Sequence, residues 1–206
     1  MICGILLAAG MSSRMGQPKQ LLRWHGRPLV RHVAEVALAS RLAGLVVVLG
    51  AEAPAMRAAL MGLAGPIVTV QCNDYQDGQA ASLRCGLAAL PTAVTATIVL
   101  LVDQPLVSPT LVDRLIATFE ADAGALAVVP RYQGRPGNPV LLAAGLFAEL
   151  QTLVGDTGAR PVLERHAADV HWLDLDDSAV VTDADTPERF ASLAERDGGQ
   201  GAIIAP

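Results

Sequence analysis

Residues 7–22 read LAAGMSSRMGQPKQLL and set Gly10, Gly16, Arg14 and Lys19 directly after an apolar run. Glycines and small residues let backbone N–H groups approach a ligand, and two cations beside them suit a phosphate-rich anion. The spacing fits neither the Walker P-loop, in which lysine directly follows the second glycine, nor GxGxxG. A flexible loop with solvated charges is the plain alternative. Downstream, Asp103 follows the apolar run TIVLLV and is expected to project from a strand's carboxyl end, unless it merely turns the chain before Pro105. DADTPE offers Asp183 and Asp185. Asp185 with Glu188 also reads as a capping box, and Thr186 before Pro187 offers a second cap. His25 and His32 are expected to be exposed, and His166 and His171 lack zinc spacing.

These groups must be held by elements that the sequence punctuates clearly. Near-continuous apolar runs at 3–7, 45–49, 67–71, 97–102, 125–130, 139–142 and 170–173 predict strands covered on both faces. Amphipathic stretches at 28–40, 80–90, 145–152, 159–166 and 187–195 predict helices, and another opens at Ser108 with Pro109 in its first turn. Strand–helix alternation predicts an α/β, three-layer, Rossmann-like fold with a mostly parallel sheet. PRYQGRPGNPVLL, with two glycines and three prolines, predicts an antiparallel excursion on that sheet. In such sheets ligands sit beyond the carboxyl ends of the strands, where residues 7–22 begin. One domain is expected over residues 1–197, with 198–206 as a loose tail.

The chain has 206 residues, 52% hydrophobic and 17% charged, which excludes disorder. Its longest apolar run is about half the roughly 20 residues of a spanning helix, so no membrane role is expected. Three widely spaced cysteines, Cys3, Cys72 and Cys85, suit free thiols in a reducing cytoplasm. Of 15 basic residues only Lys19 is lysine. Residues 1–34 carry Arg14, Lys19, Arg23, Arg27 and Arg31 and no carboxylate, although the net charge is −5. This division argues against nucleic acid as a partner and for a small polyanion held by the cationic segment.

The string LAAGMSSRMGQPKQLL resembles the signature loop LAAGxSxRMGxxK of the MobA-like nucleotidyltransferases, relatives of the nucleotide-diphospho-sugar transferases. The resemblance continues through LVDQP (101–105), GRPGNPVLL (134–142), GDTGAR (155–160) and DADTPE (183–188), which is nearly the whole chain. It is strongest to the family's molybdenum cofactor cytidylyltransferases.

The resemblance implies transfer of CMP from CTP to the terminal phosphate of molybdopterin cofactor, with release of pyrophosphate. Leu7, Ala8, Ala9, Gly10 and Gly16 would wrap the triphosphate, Arg14 and Lys19 would neutralise it, and Gly78 and Ser82 would meet the base. Asp103 and Asp185 would hold Mg²⁺, with Arg14, Lys19 and Asp103 as the catalytic set. Guanosine-using relatives look like LAGG where this chain has Ala8-Ala9-Gly10. Arg135, Asn138, Asp156 and Arg160 would face the acceptor, although Arg160 could simply begin a helix. A transient contact with a molybdoenzyme or its chaperone would follow. Other readings on the same fold are a sugar or polyol phosphate acceptor, a delivery protein without chemistry, and an NAD(P)H-dependent reductase.

Overall fold

The computed structural model describes residues 1–10, 12 and 15–198. Arg14 and the expected tail beyond residue 198 lie outside the described residues. The chain opens with β1 (Ile2–Ala8), a hairpin of β2 (Arg23–Trp24) and β3 (Arg27–Pro28), then α1 (Leu29–Leu38). There follow β4 (Leu45–Leu49), α2 (Ala53–Leu60), β5 (Ile67–Gln71), α3 (Gln79–Ala88) and β6 (Ala96–Leu101). The second half runs α4 (Pro109–Ala121), β7 (Ala127–Tyr132), β8 (Arg135–Pro136) and β9 (Val140–Ala143). It closes with α5 (Phe147–Leu150), α6 (Arg160–Arg165), β10 (Val170–Leu175) and α7 (Pro187–Arg196).

The main sheet is ordered β10-β7-β9-β6-β1-β4-β5, with β8 on β7. β1 pairs in parallel with β4 and β6, and β5 and β10 are also parallel additions. β9 runs antiparallel between β6 and β7, and β8 folds back on β7 through Gln133 and Gly134, both at positive φ. The antiparallel excursion therefore falls where the glycine- and proline-rich segment predicts it.

Alternation along β1 assigns its side chains to two layers. Leu6 and Ala8 pack with Leu29 and Val33 of α1, Leu115 of α4 and Phe190 of α7. Ile5 and Leu7 face the other way, with Leu83 and Leu87 of α3 and Val162 of α6. Each fully buried aliphatic side chain contributes about 1.5–3 kcal/mol, which is why these strands are apolar throughout. Gly86 lets α3 lie close to β1, because a Cβ there would stand 2.6 Å from Ile5 Cγ2.

Helix starts follow local chemistry. Ser108 accepts a hydrogen bond from the amide of Leu111 and caps α4 as expected. At α7 the cap is Thr186, which accepts from Arg189 N, so Asp185 is not the capping residue. The helix α2 has no counterpart in the sequence reading. Its segment APAMRAAL is short, and only Ala53, Met56 and Leu60 are buried.

The cysteines correct an expectation. Cys72 and Cys85 form a disulfide, and only Cys3 among the three is free and buried. Cys72 follows β5, and α3 folds back to bring the two Cα atoms to 5.8 Å, within bridging range. No described helix is long and apolar enough to cross a membrane.

Candidate active site

Beyond the carboxyl ends of β1 and β6 lies a cavity of about 690 Å³. Leu7, Ala9, Gly10 and Lys19 form its first wall, and Gly78, Gln79 and Ser82 at the start of α3 form the second. Asp103, Asn138, Asp156, Asp183 and Asp185 complete it. Ala8 is buried behind the wall, and Gly16 is exposed outside it. Arg135 and Arg160 are exposed and do not line the cavity; Arg160 is the first residue of α6.

Lys19 stands at the start of a short 3₁₀ turn, where Ser12 Oγ accepts from its backbone amide at 3.0 Å. Its ammonium crosses the cavity to Asp103 Oδ2 at 2.6 Å and Asp185 Oδ1 at 3.0 Å. Side-chain exposures of 14%, 17% and 24% make this a largely desolvated triad. Burial opposes the Lys19 charge, but the two carboxylates overcome it and hold the ammonium above its ordinary range. Burial also pushes the Asp103 carboxyl up, against the pull of Lys19. Main-chain bonding supports the arrangement: Ala184 N donates to Asp103 O at 2.7 Å, which ties the 183–185 segment to the end of β6.

Sequence reasoning missed what shapes the first loop. Gln20, almost fully buried, donates through Nε2 to Ala8 O at 3.1 Å and Gly10 O at 2.6 Å. Its Oε1 accepts from Ser12 Oγ at 3.2 Å. One amide side chain thus cinches both ends of the turn that carries Ala9. A polar residue in the otherwise apolar QLL was the available signal, but its partners depend on the folded loop.

The opposite wall is made by two segments the sequence assigns to different ligands. Asp156 Oδ1 accepts from Gln79 N at 3.1 Å, and Gly155 O accepts from Ala80 N at 3.1 Å. Gly78 sits at φ +100, and a Cβ there would lie 2.6 Å from the Gly155 carbonyl. Glycine is required at this junction.

Two expectations about charge and histidine are corrected. Arg23, Arg27 and Arg31 do not line the cavity. Arg23 donates to Gly26 O, Arg27 and Arg31 pair with Glu35, and Arg31 also donates to Ala59 O and Met61 O. The hairpin and α1 turn them away from the strand ends, so Lys19 is the one cation among the described lining residues. His32 is half-buried, and its Nε2 donates to Pro105 O at 2.9 Å in the turn after Asp103. His166 and His171 meet carboxylates in space, at Glu149 and Asp122. No cluster of three or more potential metal-ligating side chains occurs among the described residues.

The doubly covered, mostly parallel sheet is the fold of the nucleotide-sugar transferases, and the lysine–carboxylate cavity lies at its strand ends. Residues 4–170 match the model of the MobA-like NTP transferase domain, and the chain belongs to that family. It is 36% identical to the nicotine blue oxidoreductase of Paenarthrobacter nicotinovorans, covering 93% of this chain and 96% of that protein. It is 26% identical to the molybdenum cofactor cytidylyltransferase of Escherichia coli, covering 93% and 95%. The crystal structure of Rv0371c from Mycobacterium tuberculosis superposes with a TM-score of 0.81 at 31% identity, covering 94% of this chain and 97% of that one. A second structure of Rv0371c, in complex with manganese, superposes with a TM-score of 0.78.

Proposed function

We propose that this protein transfers CMP from CTP to the terminal phosphate of molybdopterin cofactor. An oxygen of the acceptor phosphate forms the new bond to the α-phosphorus, the bond to the β-phosphate side breaks, and pyrophosphate leaves. The observation that supports this most is the convergence of Lys19, Asp103 and Asp185 beside the Ala9–Gly10 backbone at the strand ends.

Asp103 and Asp185 fit a divalent cation on the chemistry of their donors. Two carboxylate oxygens already converge on one positive centre, and Mg²⁺ is held by one or two carboxylates together with substrate phosphates. Bound there, Mg²⁺ would neutralise phosphate charge and align the reacting oxygens. That Rv0371c, 30% identical, has a structure in complex with manganese supports a divalent cation as the cofactor. Lys19 adds a compact positive charge for the α-phosphate, and the loop held by Gln20 fixes backbone donors around the triphosphate. Arg14 would neutralise the same group. Gly78 and Ser82 would frame the base, and the Cβ of Ala9 narrows the space in favour of a pyrimidine. Asn138 and Asp156, which line the cavity, would meet the acceptor, and Arg135 and Arg160, outside the lining, would approach its far end.

The test is pyrophosphate release with CTP or GTP, Mg²⁺ and molybdenum-loaded cofactor, against sugar and polyol phosphates as acceptors. Release confined to CTP and the cofactor is expected. A second reading rests on the 36% identity to nicotine blue oxidoreductase, and it predicts NAD(P)H consumption without pyrophosphate. A parallel assay with NAD(P)H and nicotine blue as the electron acceptor, read at 340 nm, separates the two.

A further inference from the structure

We propose that the Lys19 ammonium and a divalent cation compete for the same two carboxylate oxygens, so that Lys19 is an exchangeable counter-ion and must leave before the metal site exists. This deepens the nucleotidyltransferase reading and rests on it only for the purpose of the exchange.

The geometry leaves little room for both cations. Nζ sits 2.6 Å from Asp103 Oδ2 and 3.0 Å from Asp185 Oδ1, at the point where a hard cation bound by both would also lie. Magnesium approaches its oxygens at about 2.0–2.1 Å, which places it on top of the ammonium. Ala184 N holds Asp103 O at 2.7 Å, so the two main-chain segments that carry the carboxylates stay joined whether or not Lys19 is between them. Withdrawing the ammonium therefore leaves both carboxylates on the same side of the cavity, where one cation can draw them together. Lys19 can withdraw without disturbing its loop, since its backbone amide is fixed on Ser12 Oγ and the side chain is a flexible four-carbon stem.

The cavity also supplies the force for the exchange. Its described lining carries Asp77, Asp103, Asp156, Asp183 and Asp185 against Lys19 as the one cation. An incoming triphosphate draws the ammonium onto its own oxygens and offers phosphate ligands to the metal in the same event. Metal and nucleotide affinities are thus coupled, and by linkage each strengthens the other.

Lys19 is the one lysine in the chain, which gives a readout on the unaltered protein. Amine-reactive labelling, followed by mass spectrometry, reports Lys19 against the N-terminal amine as internal reference. Titration with Mg²⁺ alone is expected to raise the Lys19 labelling rate at least fivefold while the N-terminal rate stays constant. In parallel, Mn²⁺ binding to nucleotide-free protein is measured by loss of the free-ion EPR signal. Lys19→Gln is expected to bind Mn²⁺ at least tenfold more tightly than the unaltered protein, and Lys19→Arg no more tightly. An unchanged labelling rate up to 20 mM Mg²⁺, or Mn²⁺ binding that is equal or weaker in Lys19→Gln, overturns the proposal. Neither measurement contains CTP, acceptor or turnover, so a wrong substrate assignment leaves both results intact.

Discussion

The backbone amide of Gln79 donates to the carboxylate of Asp156 at 3.1 Å, across 77 residues of sequence. The first amides of α3, which have no partner inside the helix, are thereby capped by the loop that precedes α6. Asp156 braces a wall of the cavity as well as lining it.

Gly78→Ala tests this junction. The substitution places a Cβ 2.6 Å from the Gly155 carbonyl at a φ of +100. A loss of about 2–4 kcal/mol is expected in urea unfolding, with a raised KM for nucleotide. Gly134→Ala, at φ +77 with nothing within 4 Å of the added carbon, should cost only about 1 kcal/mol and leave KM unchanged.

Gln20→Leu keeps the volume of the side chain and removes its polar atoms. The carbonyls of Ala8 and Gly10 lose their donor, which is worth about 1–3 kcal/mol where water does not replace it. Nucleotide KM should rise more than kcat falls, because the loop loses its shape while Lys19 and Asp103 remain.

Lys19→Ala and Asp103→Asn should each lower pyrophosphate release by roughly 10²–10³-fold, the usual effect of removing one charge-stabilising group. Circular dichroism should show both variants folded. Asp103→Asn also removes one of the two carboxylates that hold the buried Lys19 ammonium, so the variant should be less thermostable than the unaltered protein.

The architecture and the chemistry-bearing segments were legible because they are written locally. β-Branched runs mark β1, β4 and β6, and LVDQP puts an aspartate just past one of them. Less local features were not. The reach of Gln20 to Ala8 and Gly10 depends on how the loop closes, and the sequence offered no reason to rank it above its neighbours. The cationic count of residues 1–34 was misleading for the same reason: Arg27 and Arg31 are consumed by Glu35 once α1 forms. A choice left open at DADTPE, between Asp185 and Thr186 as cap, is decided by one bond to Arg189 N.

The disulfide closes a loop with a sequence separation of 13, which contains Gly78, Gln79 and Ser82. Loop-closure entropy gives about 3 kcal/mol for such a link. Cys85→Ser should lose roughly that amount in urea unfolding. Dithiothreitol should remove the same stability from the unaltered protein and none from the variant.

Burial holds the imidazole of His32 below its ordinary range, despite the hydrogen bond to Pro105 O and the nearby Asp197 and Glu35, with His25 adding to the depression. The unfolded chain then binds the proton more tightly, so stability is lost as pH falls through about 6.5. The thermal midpoint should drop between pH 7.5 and 5.5, and His32→Gln, which keeps a donor for Pro105 O, should flatten that slope. An unchanged slope in the variant would assign the pH dependence to other groups.

Asp103 lies 84 residues after Lys19, and Asp185 lies 166 after it. During synthesis at about 5–20 residues per second, Asp103 is therefore made roughly 4–16 s before the second carboxylate, and Lys19 earlier still. Through that interval the nascent chain has the sheet's central strands and a lysine with one acidic partner, but no complete dicarboxylate. If the proposed metal role of Asp185 holds, a product truncated before it would fold most of the sheet and be silent rather than partly active.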